Sequence, residues 1–149
     1  GKILFLYACI LIYLCVIVFK MKNLFLLLLL FPLFASAQIQ SLDTIKAPSV
    51  FDNIYSRVIA HDSLSSSFVI FIKKEVKKHK HVTHTENVYI LDGEGEMNLG
   101  DKTFKVKKGD FIFIPMNTVH SIKVTSSIPL KVVSVQSPYF DGKDRTWID

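Results

Sequence analysis

Between Ile54 and Gln136 the chain alternates short apolar runs with turn residues and never sustains a helix-length period, which limits the fold more than any other feature. On a strand, side chains alternate between faces, so residues two apart look the same way. The runs Ile54–Ala60, Ser66–Lys74, Val76–His81, Glu86–Leu91, Glu94–Leu99, Thr103–Val106, Phe111–Ile114, Val119–Val124 and Leu130–Gln136 read as strands. Between them lie turn signals such as Asp92-Gly93, Gly100-Asp101, Lys108-Gly109-Asp110, Pro115-Met116-Asn117 and Ile128-Pro129. Many short strands without helices between them close on one another as an all-β jelly-roll-like barrel. No internal repeat and no low-complexity segment is visible.

Several apolar rows end on a polar residue. Glu86 shares a strand face with Val88 and Ile90, and His120 shares one with Ile122 and Val124. His79 and His81 are two apart and also face one way. An unpaired carboxylate inside a barrel is costly, and a cation offsets that cost. Any one of these residues alone reads as a surface group or a satisfied core residue. Three imidazoles and one carboxylate at these spacings can converge on one divalent transition metal, with Fe, Mn, Ni, Cu and Zn all compatible with the donor set. His84 lies two residues before Glu86 on the same nominal face, so it either takes a ligand's place or orients Glu86 from behind. Glu86 and His84 are also the groups available for acid–base work. His61, in the turn-like Ala60-His61-Asp62-Ser63, is given no part.

These residues carry a resemblance. The cupin family's first motif is written G(X)5HXH(X)3,4E(X)6G, and His79-x-His81, Glu86 and Gly93 stand at its spacings. Its second, G(X)5PXG(X)2H(X)3N, is matched by Gly109, Pro115 and His120, with Asn117 in place of the inner Gly. The chain thus resembles a small single-domain cupin. Lys73 stands where the first motif begins with Gly, and Val124 where the second ends with Asn. Asn tolerates the left-handed backbone conformation that the inner Gly serves. The resemblance implies a cupin-type jelly-roll β-barrel with His79, His81, Glu86 and His120 as metal ligands. It also implies a homodimer.

Upstream, residues 21–37 read as a secretory signal peptide: Lys22, an apolar run from Leu24 to Phe34, then Ala35-Ser36-Ala37 before Gln38. The apolar segment 1–20 has two readings, an upstream read-in, which we prefer, or a membrane anchor over residues 3–19. Both cysteines, Cys9 and Cys15, lie there, so the exported part holds none and has no disulfide framework. A bacterial periplasmic or secreted location is expected. Removing Lys2, Lys20 and Lys22 from the eighteen basic residues leaves fifteen against thirteen acidic ones, a net charge near +2. Residues 38–53 read as a linker or arm, 54–137 as the barrel and 138–149 as a tail that packs on it.

The lysine run Lys73, Lys74, Lys77, Lys78 and Lys80 reads as a solvated strand face whose charge also favours neutral histidines. It is too short and too poor in aromatics for nucleic acid, so the expected partner is a small molecule. In the tail, Asp144 and Arg145 are expected to pair, with no part in chemistry. Val88, Ile90, Ile122 and Val124 make the expected interior apolar, which favours a metal-dependent, dioxygenase-like enzyme. A non-catalytic module holding a sugar or carboxylate, or a cupin isomerase or lyase, is the alternative.

Overall fold

The computed structural model of the protein describes residues 10–18 and 38–149. The chain divides into two units, residues 1–40 and 41–149. In the first, residues 10–18 are helical, and among the described residues no helix is long and apolar enough to cross a membrane. The expected signal peptide, residues 21–37, lies outside the described residues.

The second unit is built from strands. In chain order they are β1 Ile54–His61, β2 Ser66–Ile72, β3 Glu75–Lys80, β4 Thr85–Asp92, β5 Glu94–Leu99, β6 Lys102–Lys107, β7 Phe111–Ile114, β8 His120–Val124, β9 Leu130–Ser137 and β10 Thr146–Trp147. They form two antiparallel five-stranded sheets, ordered β1-β2-β9-β4-β7 and β10-β3-β8-β5-β6. Neighbours such as β2 and β9, or β3 and β8, are far apart in sequence, which is the crossing connection of a jelly roll.

Alternation decides what lies between the sheets. Ile72, Ile90, Ile114, Leu130 and Val132 from the first sheet meet Met97, Val106 and Ile122 from the second in one buried cluster. Where the chain passes from β4 in the first sheet to β5 in the second, Gly93 adopts φ 83°, and a Cβ there would lie 2.9 Å from the Leu130 backbone, so only glycine fits.

β2 is apolar on both faces, as a strand covered on both sides must be. Val69 and Phe71 turn outward and are covered by Leu42, Ile45, Ala47 and Phe51 from the preceding segment. Residues 42–51, within the expected linker or arm, therefore lie against the outer face of the first sheet. Lys131 fastens them, its Nζ donating to Leu42 O at 2.7 Å while it lies over the Phe71 ring. The tail returns to the barrel: Phe140 is buried, its N–H donates to Ser66 Oγ at 3.0 Å, and β10 adds to the edge of β3.

Candidate metal centre

His79 on β3 and His120 at the start of β8 are partners in register across the second sheet. A register shift between Val76 and His79 precedes the pair, the kind of bulge that re-aims a side chain. Alternation carries His81, one residue past β3, to the same interior side as His79. The His81 backbone is fixed from the facing turn, where Asn117 N donates to His81 O at 2.7 Å. Asn117 has φ 61°, the left-handed conformation expected of it.

Each of the three rings is oriented by a main-chain carbonyl. His79 Nδ1 donates to Lys77 O at 2.8 Å, His120 Nδ1 to Thr118 O at 3.0 Å, and His81 Nδ1 to Asp144 O. A carbonyl oxygen only accepts, so every Nδ1 carries the proton and every Nε2 is left with a lone pair. The ligand atoms of these three buried histidines lie within 4.8 Å of one another. His81 Nε2 and His120 Nε2 are buried without a hydrogen-bond partner, an orphaned state that a metal ion relieves. The donor set fits a divalent transition metal.

Glu86, on β4 of the opposite sheet, brings Oε2 to 3.3 Å from His120 Nε2 and 3.5 Å from His81 Nε2. Its other oxygen accepts a 2.5 Å hydrogen bond from Ser134 Oγ on β9. Burial pushes this carboxyl up, yet His120, His81 and Ser134 together hold it well below the usual carboxylate range. His79 is pushed down to about 4 by burial and by the neighbouring His120 ring. Burial also lowers His81, but the Glu86 carboxylate and the Asp144 carbonyl outweigh it and the net shift is upward. Arg145, rather than the lysine run, is the nearby cation that acts on His79 and His81.

His79's low value has a pH consequence for the metal-free protein. The unfolded chain takes up the His79 proton near 6.5 and the folded one only near 4, so stability present above 6.5 is lost as pH falls through this window. His81 shifts the opposite way, so its contribution changes only above 6.5. Denaturant unfolding of chelator-treated protein should show a loss of roughly 2 kcal/mol between pH 6.5 and 5, absent in His79→Gln.

His84 is not brought into the cluster. It sits in the turn before β4, and its ring lies between Asp144 Oδ2 at 2.6 Å and Tyr139 O at 2.9 Å. The expected Asp144–Arg145 pair is not formed. Asp144 instead accepts from Val82 N, Thr83 N, Thr83 Oγ1 and His84, while Arg145 lies over the Phe140 and Trp147 rings. Burial raises the Asp144 carboxyl, but His84 and the Thr83 and Val82 amides outweigh this and leave it well below its ordinary value. Asp144 thereby anchors the tail whose carbonyl orients His81. Asp144→Ala should weaken metal affinity by about ten- to a hundredfold. It should also speed tryptic cleavage after Lys143 and Arg145, read by titration and by mass of the fragments.

The cluster lines a cavity of about 160 Å3. Its walls include Ile54, Ile70, Val88 and Ile112, as the apolar expectation holds, but also Gln136, Ser121, Arg145 and Trp147. The sequence reading missed these polar groups. Gln136 was legible, since Leu130, Val132, Ser134 and Gln136 share one face of β9; Arg145 and Trp147 arrive through β10, whose two residues carry no period. Trp147 pairs with His79, the rings 5.3 Å apart.

The cupin domain profile matches residues 68–136. Over 92 residues the chain is 38% identical to an uncharacterized protein of Methanocaldococcus jannaschii, covering 62% of this chain and 71% of that one. It is 30% identical over 92 residues to quercetin 2,3-dioxygenase of Bacillus subtilis, covering 58% of this chain and 27% of the enzyme. A solved Klebsiella pneumoniae protein with a double-stranded β-helix domain superposes with a TM-score of 0.64 at 22% identity, covering 76% of this chain and 99% of that one. The chain belongs to the cupin family.

Proposed function

We propose that the protein is a metal-dependent enzyme acting on a small molecule held in the barrel. His79, His81, His120 and Glu86 hold a divalent transition metal. The observation that carries this is the pair of buried, unpartnered Nε2 atoms of His81 and His120 beside a buried carboxylate in the wall of a cavity. Such an ion supplies Lewis acidity, or redox chemistry with oxygen, to a substrate oxygen placed next to it. The chain's own residues do the rest: the carbonyl-bound Nδ1 atoms fix the rings, Ser134 holds Glu86 Oε1, and the apolar walls exclude water.

The polar lining by Gln136, Ser121 and Arg145 shifts the reaction toward isomerase- or lyase-type proton transfer on a polar molecule. A dioxygenase is the second reading, favoured by the likeness to the Bacillus subtilis enzyme. Elemental analysis of protein purified from the exported fraction, followed by oxygen-uptake assays with phenols, thiols and keto acids, separates them. A bound metal without uptake fits the first reading; iron with uptake fits the second, and no metal at all defeats both.

A further inference from the structure

The β9 face that supplies Leu130 and Val132 to the core and Ser134 to Glu86 ends at Gln136. Gln136 stands in register with Glu86 on one side and with Ser66 on the other. It is 3% exposed, lines the cavity of the metal centre, and its Oε1 is buried without a hydrogen-bond partner. β2 and β4 are both paired with β9, Ser134 Oγ donates to Glu86, and the Ser66 hydroxyl, which accepts from Phe140, makes no hydrogen bond to Gln136 Oε1. A buried amide oxygen left in this state calls for a donor that enters from the cavity.

A second group lines the same cavity from the tail. Arg145 lies over the rings of Phe140 and Trp147, centred 5.8 and 5.6 Å away, which holds the guanidinium in place by stacking. Among the described residues no carboxylate lies within ion-pairing distance of it. A guanidinium held by aromatic faces keeps its N–H fork free for an incoming carboxylate. Val88, Ile112 and Val132 add apolar surface to the same cavity, whose volume is about 160 Å3.

We propose that Gln136 and Arg145 select the substrate, a hydroxy acid of a few carbons whose carboxylate is received by Arg145 and whose hydroxyl hydrogen is received by Gln136 Oε1. This rests on the metal-centre reading, because the same hydroxyl oxygen is then presented to the ion. Gln136 and Arg145 are positioning residues for whatever bond is broken.

Calorimetry on the metal-loaded full chain with 3-hydroxybutyrate, butyrate and methyl 3-hydroxybutyrate tests it. Wild type should bind the hydroxy acid about tenfold tighter than either comparison compound. Gln136→Met should erase the preference over butyrate and keep the preference over the ester; Arg145→Ala should do the reverse. Both variants should retain wild-type metal stoichiometry. Gln136→Asn, which keeps the amide but draws it back by one methylene, gives the same loss should the Met variant fold poorly. Equal binding of the three compounds by wild type, or preferences that survive both substitutions, overturns the assignment. Failure to take up metal is seen before any ligand is added and counts against the metal centre itself.

Discussion

His81→Ala and His120→Ala should each lower metal affinity by about a hundred- to a thousandfold, while His84→Ala should retain the full donor set. The scale follows from a site of four donors: roughly 10 to 16 kcal/mol of binding free energy, shared among them, leaves about 3 to 4 kcal/mol for each. His81 and His120 are the sharpest tests because their Nε2 atoms are buried and have no other partner. His84 has both ring nitrogens turned to the tail. Competition titration against a chromophoric chelator reads the difference, with circular dichroism to show that each variant keeps its sheet. A His120→Ala protein that binds as tightly as wild type would remove the three-histidine centre from consideration.

Ile90→Ala should cost about 3 to 4 kcal/mol of stability without changing metal stoichiometry. Ile90 is fully buried on β4, in the cluster that joins the two sheets, and its backbone already bonds to Asp110 and Gly109. With main-chain pairing on both sides, the strand has little freedom to collapse into the space left by the lost side chain. Urea unfolding should give a lower midpoint at unchanged slope, and the melting temperature should fall by roughly 15 °C. The substitution leaves the three imidazoles untouched, so it separates the fold's stability from the site's chemistry.

The sequence carried the barrel well because its signal is local. Glu94–Leu99 and Phe111–Ile114 begin and end where alternation and turn residues place them, and β1, β2, β4 and β9 differ by a residue or two at their ends. The site was legible for the same reason: Glu86 and His120 each close an apolar row, and His79 and His81 are two apart on one face. What escaped depended on partners distant in sequence. β10 is two residues long and exists because Trp147 meets His79; His84 was placed on the face of Glu86 by counting, whereas it precedes the strand and answers to Asp144 sixty residues later. Gln136 escaped because its strand was located but its inward face was not followed to the end.

The donors are divided between the two layers of the barrel: the histidines come from β3, its C-terminal neighbour position and β8, while Glu86 comes from β4. An ion shared by all four would act as a clasp, holding the layers together at the site as the apolar cluster holds them elsewhere in the barrel. Heat resistance should then track the free ion concentration well beyond saturation, by mass action on the folded form. A chelator would loosen the contact between the layers at the four donors before it loosens the apolar cluster.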